Sequence, residues 1–304
     1  MTTPKTTLCV ILHYGDPSYT WACVRSILPF QELDIVIVDN DPEQHLNIPD
    51  DVAASVRFVG SGGALGFSAA NNLGVNEFIN PRHRFIFILN NDTFVSDDSF
   101  RRLYEVLRDK SVGAVAPCMY YADKKDSIWA CGGYIDKSRL RIAGIRKAKD
   151  RYPFQVDYLP GAAILCRREL WERVGGLPVN YFLAYEEAEF AMRLSRLGFK
   201  LMADPRAVIY HHVGMSSDVQ PMYVYNAVRN RIRFGKFVHG KFLGAFSGLL
   251  NTTDIFAGKG QTPKERYHHL KLWSHAVFDE FSGKNLDREA LQGVRRFYQD
   301  KGES

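Results

Sequence analysis

A chain of 304 residues with 46% hydrophobic and 24% charged residues has the composition of an ordinary globular protein, with room for one large α/β domain and a smaller appendage. Its formal net charge of +5 suits an anionic ligand or an acidic membrane surface and makes no demand for nucleic acid. The five cysteines (Cys9, Cys23, Cys118, Cys131, Cys166) form no Cys-x-x-Cys pair, so reduced, buried thiols and a cytoplasmic location are expected. The opening MTTPKTTLCVILHYG is too short in apolar residues for a signal peptide, and no run reaches the roughly 18–20 apolar residues that span a bilayer. Any membrane association is therefore expected to be peripheral, at the inner face of the plasma membrane.

In chain order, residues 7–12 (TLCVIL) form a short β-branched run that predicts a strand. Trp21, Val24, Ile27 and Leu28 recur at helical spacing through residues 19–28. Residues 34–38 (DIVIV) predict a buried strand ending in Asp39-Asn40-Asp41, and residues 56–59 (VRFV) a third, followed by a Gly-rich stretch over 60–66. Residues 69–78 predict a helix, 84–89 (RFIFIL) a buried strand ending in Asn90-Asn91-Asp92, and 97–108 a helix with Asp98 or Ser99 placed to cap it. Apolar strands alternating with amphipathic helices imply a mostly parallel sheet covered on both faces, with ligands at the carboxyl ends of the strands.

Residues 120–155 are charged and aperiodic and predict a surface excursion. Strand character returns at 158–166 (YLPGAAILC); a short helix at 169–174 is stopped by Gly175-Gly176, and another spans 188–197. From Arg229 onward there are 14 Lys/Arg against 8 Asp/Glu, a net +6. The chain thus divides into an α/β domain over 1–228 (halves 1–115 and 116–228) and a basic helical extension over 229–304.

Three clusters carry chemistry. In FILNNDTFV a carboxylate at a buried strand's exit suits a hard divalent cation that can bridge phosphate oxygens, although Asn and Asp also form ordinary turns after strands. AYEEAEF places three carboxylates within four positions, with Glu186 and Glu189 neighbours on a helix and Glu187 pointing elsewhere. Its apolar lead-in could raise a carboxyl toward a base's working range, while acids in a first helical turn are also good helix design. VIYHHVG places two histidines after a strand; imidazole ligates Mn²⁺-type metals, and structural histidines are common too. GSGGALG lacks the third glycine of a dinucleotide fingerprint and has no strand-end acid about 20 residues on, which disfavours a nicotinamide enzyme. Its glycines still let backbone N–H groups approach a diphosphate.

Taken in order, LCVILHYGDPSYTWACVRSIL, DIVIVDN, GALGFSAANNLGV, FIFILNNDTFVSDDSF, PGAAILCRRELWERVGGLPVNYFLAYEEAEFAMRLSRLGFK and PRAVIYHHVGMSS make residues 7–235 resemble the inverting family-2 glycosyltransferases, especially the rhamnosyltransferase-like branch. The resemblance implies a GT-A fold and a nucleotide-diphosphate sugar as donor. It implies that Asp39 accepts from the pyrimidine ring, that His13 and Tyr14 line the base pocket, and that Asn71 and Asn72 lie against the diphosphate. Asn90-Asn91-Asp92 matches the family's Asp-x-Asp motif, with Asn90 and Asn91 on the donor and Asp92 on a divalent cation, Mn²⁺ or Mg²⁺. His211 would be the second metal ligand, with His212 the choice if the register is one residue off. Glu187 falls at the catalytic base, Glu186 and Glu189 beside it on the acceptor side, and Gly161 in an acceptor-side loop. Two positions depart from the pattern: Asn90 stands for an acid, and Glu187 for an aspartate one methylene shorter.

The resemblance implies a metal-dependent inverting transfer to a glycan or lipid-linked glycan in cell-surface polysaccharide synthesis. The Arg229–Arg233 region, with Phe234, Phe237, Phe242 and Phe246, is expected to face the acceptor or an anionic membrane. Two other readings stand beside this one. A sugar nucleotidyltransferase shares the sheet-and-metal design but carries a basic Gly-rich loop that LHYGDPSY lacks. A non-catalytic sugar- or nucleotide-binding module is compatible with Asn90 and Glu187.

Overall fold

The computed structural model describes residues 5–41, 46–63, 65–96, 98–213, 220–252 and 263–283. Expectations for Asp97, for Gly214 of the histidine motif, and for the tail beyond residue 283 lie outside these. The chain divides into two compact units: Met1–Ile135 with Ile142–Val179 and Glu186–Met215, and Asp136–Arg141 with Asn180–Tyr185 and Ser216–Ser304.

The first unit is built on a ten-stranded sheet. β1 (Thr7–His13), β2 (Leu33–Asp39), β3 (Val56–Gly60) and β4 (Phe85–Asn90) are parallel neighbours in the order β3-β2-β1-β4. β1, β2 and β4 read as nearly continuous apolar runs because both faces are buried, whereas β3, at the end of the sheet, carries Arg57 and is only partly covered. Cys9 and Ile11 of β1 enter one core cluster with Phe87 and Leu89 of β4, while Leu8 and Val10 enter the other with Ile86 and Ile88. On the first face lie α1 (Pro17–Ile27), through Trp21 and Val24, and α4 (Ser99–Val106), through Phe100 and Leu103. The second face is covered by α3 (Phe67–Phe78), α5 (Arg168–Val174) and α6 (Glu186–Arg196), through Val75, Trp171 and Phe190. Asp16 caps α1 by accepting from the Ser18 N–H at 2.8 Å, with Pro17 in the first turn. Asp98 precedes α4 but its carboxylate makes no cap; it holds Arg101 and Arg102 instead. A single-turn helix, α2 (Asp50–Ala53), completes this half.

The long strands of the sheet run mostly parallel, and beyond β4 antiparallel strands join them. β11 (Ala163–Arg167) enters antiparallel between β4 and β6 (Val112–Tyr121), and β12 (Lys200–His211) then runs parallel to β6. β5 (Thr93–Val95) pairs antiparallel with the end of β12. The charged excursion is more ordered than its periodicity suggested. It holds β7 (Ile128–Ala130), β8 (Gly133–Asp136), β9 (Arg141–Gly144) and β10 (Phe154–Gln155), and it buries Cys131 and Ile145. Strands of two to four residues are too short to show an alternation. All five cysteines are buried and unpaired.

The second unit contains α7 (Gln220–His239), α8 (Lys241–Asn251) and α9 (Pro263–Phe281). The compositional shift at Arg229 falls inside α7, because it marks a change of charge and not of packing. Arg229 is fully buried and lies 3.4 Å from Glu280, which also takes Arg233 at 2.7 Å and Lys236 at 2.9 Å. The expectation that the Arg229–Arg233 cluster faces an acceptor or a membrane is thereby corrected: Arg229 and Arg233 turn inward onto Glu280 of α9, and Arg231 is taken up by the Tyr185 hydroxyl and the Asn251 carbonyl. α8 meets α7 backbone to backbone, since a Cβ on Gly244 would overlap the Gly235 carbonyl and one on Gly248 the Ile232 Cα. Gly244→Ala is expected to destabilise this unit by about 1–3 kcal/mol, as overpacking does in close-packed contacts, measured by urea denaturation.

Candidate functional site

Because β1, β2, β4, β6 and β12 all run the same way and β11 runs against them, one edge of the sheet collects five strand ends and one strand start. His13 is registered against Asp39 and Leu12 against Asn90, while the Asn90 N–H donates to the Ala162 carbonyl at 2.9 Å. His13, Asp39, Asn90 and the Gly161 turn are therefore set along this edge by backbone pairing alone. His211, at the end of β12, reaches the same edge beside Tyr121.

The metal motif and the histidine meet. Thr93 pairs with His211, and the Asp92 carbonyl accepts from the His212 N–H at 2.9 Å. His211 Nε2 lies 3.1 Å from Asp92 Oδ1, yet the pair lacks hydrogen-bond geometry, and both Asp92 Oδ1 and His211 Nδ1 are buried without a hydrogen-bond partner. An oxygen and an imidazole nitrogen held this close without bonding each other are suited to share a divalent cation. Among the described residues no group of three or more His, Cys, Asp or Glu could hold a metal. These two donors therefore fit a cation whose remaining ligands come from a diphosphate or water. Trp129 packs edge-on against His211 at 4.5 Å, whereas His212 is exposed and lies against Tyr19 at 5.1 Å.

On the nucleotide side, Thr20, which the sequence reading missed, links two expected residues. Its Oγ1 lies 2.7 Å from His13 Nδ1 and accepts from Asn91 Nδ2 at 3.0 Å. The other ring nitrogen, Nε2, is buried with no hydrogen-bond partner among the described residues. Burial pushes the His13 pKa down, against the opposing pull of Asp39, Asp41 and Asp16. Asn91 Nδ2 also reaches the Tyr14 carbonyl at 3.3 Å, and Tyr14 itself is exposed. The nearly buried Asp39 orders the turn after β2, its oxygens accepting from the Asp41 N–H at 3.2 Å and the Leu46 N–H at 3.3 Å. Asn40, also missed, ties the Gly-rich loop down. Its amide donates to the Leu65 carbonyl at 2.9 Å, and its oxygen accepts from the Leu65 N–H at 2.8 Å and the Ser61 hydroxyl at 2.9 Å.

The other expected residues are placed differently. Asn71 is fully buried; its amide donates to the Phe67 carbonyl of its own helix at 2.9 Å, and its oxygen has no hydrogen-bond partner. Asn72 exchanges two hydrogen bonds with the Leu177 backbone, at 2.8 and 3.0 Å, and so acts as a strut between α3 and the turn after α5. Glu189 is buried and accepts from Arg193, whose other arm donates to the Val174 carbonyl at 3.0 Å; the pair joins α6 to the end of α5. Glu186 is buried and Glu187 half-buried, at the first two positions of α6. A Cβ on Gly161 would meet only the Phe67 ring, at an ordinary 3.5 Å, so packing within the protein does not require glycine there.

The sequence profile of the family described as "Glycosyltransferase like family 2" matches residues 4–234. The chain belongs to this family. The glycosyltransferase is 22% identical over 289 residues to the dTDP-rhamnosyl transferase RfbF of Shigella flexneri, covering 90% of this chain and 95% of that one. It is 25% identical over 171 residues to the low-salt glycan biosynthesis hexosyltransferase Agl10 of Haloferax volcanii; the match covers 54% of this chain and about half, 53%, of that protein. Among solved structures, the mannosyltransferase PcManGT of Pyrobaculum calidifontis, in complex with GDP-Man and Mn²⁺, superposes with a TM-score of 0.56 at 14% identity, covering 93% of this chain and 89% of that one. GalNAc-T7 with UDP, GalNAc and Mn²⁺ gives 0.61 at 13% identity, over 92% and 58%. At these identities the likeness establishes the fold, which is GT-A.

The lowered His13 pKa has a definite sign. The folded state takes up this proton less readily than the unfolded chain, so His13 costs nothing above its ordinary value near ~6.5 and weakens the fold as pH falls below it. Urea denaturation of the wild type between pH 7.5 and 5 is expected to show a steeper loss of stability than His13→Gln.

Proposed function

We propose that this glycosyltransferase moves a sugar, rhamnose or another deoxyhexose, from a dTDP- or UDP-sugar to a hydroxyl of a glycan or lipid-linked acceptor in cell-surface polysaccharide synthesis. The observation that carries the reading is the pairing of half-buried Asp92 with buried His211 at the sheet edge where the nucleotide-side residues also end. Near end-to-end similarity to a protein named as a dTDP-rhamnosyl transferase supports the deoxysugar. Asp92 and His211 would hold a divalent cation, Mn²⁺ or Mg²⁺, which when bound neutralises charge on the diphosphate. His13, whose Nε2 has no hydrogen-bond partner among the described residues, would bond the base, with Asp39 and Tyr14 beside it. Asn90 and Asn91 would lie along the donor, and Asn71 would reach the diphosphate only after breaking its helix bond.

Glu187 would remove the acceptor hydroxyl's proton as that oxygen bonds to the anomeric carbon. The bond from that carbon to the diphosphate oxygen breaks, giving inversion, and the proton rests on Glu187. Glu187 suits the role better than its neighbours because it is the half-buried member of the three, while Glu189 is committed to Arg193. Gly161 and Glu186 would border the acceptor.

Five buried, unpaired thiols support a cytoplasmic location. Among the described residues no helix is long and apolar enough to cross a membrane. The face of α8 opposite its glycines exposes Phe242 (85%), Leu243 (67%), Phe246 (60%) and Leu250 (54%). Lys241 opens that helix, and the basic tip with Lys137 and Arg139 is joined to its start by His239 Nε2 at 3.0 Å from the Lys137 carbonyl. An apolar stripe beside lysine and arginine is the pattern of a helix resting on an anionic lipid surface, and supports contact with the inner face of the plasma membrane.

Two experiments test these readings. In a thermal-shift screen, a nucleotide sugar is expected to raise the melting temperature with Mn²⁺ or Mg²⁺ and not with EDTA. Asp92→Asn should abolish that shift; Glu187→Gln should keep it while losing transfer by at least ~100-fold, and a Glu187→Gln enzyme with near-normal turnover would remove the base assignment. Separately, the protein should float with phosphatidylglycerol vesicles at low salt and less so as Phe242→Ser/Phe246→Ser; absence of flotation would end the membrane reading.

A further inference from the structure

Among the described residues three non-glycine residues have positive φ, and two of them are consecutive: Ala184 (φ 70°) and Tyr185 (φ 75°). A left-handed backbone places Cβ against a carbonyl, so L-residues leave it unless something holds them there. These two stand directly before Glu186 and Glu187, at the entrance to α6. Residues 180–185 belong to the C-terminal unit, and that unit supplies the restraint. Asn230 of α7, fully buried, donates one amide proton to the Leu183 carbonyl at 2.7 Å and the other to the Ala184 carbonyl at 2.8 Å. The match is specific, because a left-handed residue turns its two flanking peptide carbonyls to one side and a primary amide offers two donors from one nitrogen.

Tyr185 is fixed independently. Its hydroxyl donates to the Leu140 carbonyl at 2.9 Å and accepts from Arg231 Nε at 3.1 Å, and its ring lies 5.3 Å from that of Phe234. Asn230, Arg231 and Phe234 are all on α7. This helix therefore grips the segment whose two φ angles aim the chain into Glu187. Proton removal needs the carboxylate within about 2.6–3.2 Å of the acceptor hydroxyl, and loosening the turn at Ala184 and Tyr185 would fray the first turn of α6, where Glu187 stands, while Phe190 keeps the rest of the helix on the sheet.

We propose that Asn230 is a positioning residue for the acceptor-activating carboxylate, acting through the carbonyls of Leu183 and Ala184; this rests on the reading of Glu187 as the base. The test uses the full chain as wild type, Asn230→Ala, Asn230→Ala/Ala184→Gly and Glu187→Gln. Acceptor-dependent release of dTDP from dTDP-rhamnose (or the sugar that the thermal screen returns) is measured, with an envelope glycolipid extract as acceptor. Binding of dTDP with Mn²⁺ is measured by calorimetry. Asn230→Ala should lower kcat about tenfold or more and leave dTDP affinity within about twofold, because only a step made in the transition state is impaired. Ala184→Gly should restore part of that kcat, since glycine holds a positive φ without being held.

Unchanged kcat in Asn230→Ala, or a parallel loss of kcat and dTDP affinity that Ala184→Gly does not relieve, would overturn the proposal. Normal turnover by Glu187→Gln would overturn the base reading and this one with it, whereas an inactive Glu187→Gln beside a normal Asn230→Ala overturns this one alone. If Asn230→Ala does not fold, Asn230→Ser replaces it, retaining one donor for one carbonyl, with an intermediate loss of kcat as the supporting result and none as the opposing one.

Discussion

The site depends on a short antiparallel contact: three residues of β5 laid along the last three of β12, with Thr93 opposite His211. Strand side chains alternate between faces, so register decides which histidine shares a side with Asp92. With Thr93 on His211 and the Asp92 carbonyl taken by the His212 N–H, His211 turns in beside the carboxylate and His212 turns out toward Tyr19. β12 reaches this register only after an irregularity between Asp204 and Val208, where the buried Asp204 carboxylate holds both the Arg206 N–H and its guanidinium. The Asp92–His211 pair is thus set by backbone pairing between segments more than a hundred residues apart.

Against that constraint, what the amino-acid order reveals follows a simple division. Strands β1, β2 and β4 are legible because helices cover both faces and their central positions are apolar, and their polar exits at residues 13, 39 and 90–92 are equally plain. The helix stop at Gly175 is legible because its φ of 78° suits glycine. Long-range partnership is where reading fails. Asn72 looks like a ligand-facing amide until Leu177 is seen to occupy both its ends. Thr20 and Asn40 carry no motif, and they matter only because the fold brings His13, Asn91 and the Gly-rich loop to them. The Arg229–Arg233 cluster looked like a surface feature because its counter-ion, Glu280, is about fifty residues away in the chain.

The three carboxylates that open α6 show the same division at one site. All three favour the helix macrodipole, so their charge pattern cannot rank them. Burial and partnership do, giving Glu189 to Arg193 and leaving Glu187 half-buried. The candidate residues thus sit in two settings: strand ends of the sheet, and a helix entrance preceded by two residues of positive φ.

The Glu280 cluster also bears on how the C-terminal unit holds together. Arg229, fully buried, has its carboxylate partner 51 residues downstream, and the same carboxylate serves Arg233 and Lys236. A guanidinium cannot settle into a desolvated position before its counter-charge arrives. The inner face of α7 is therefore stable only with α9 in place, so the two helices form one cooperative pair. Residues 136–141 and 180–185, which belong to the same unit, precede that pair in the chain.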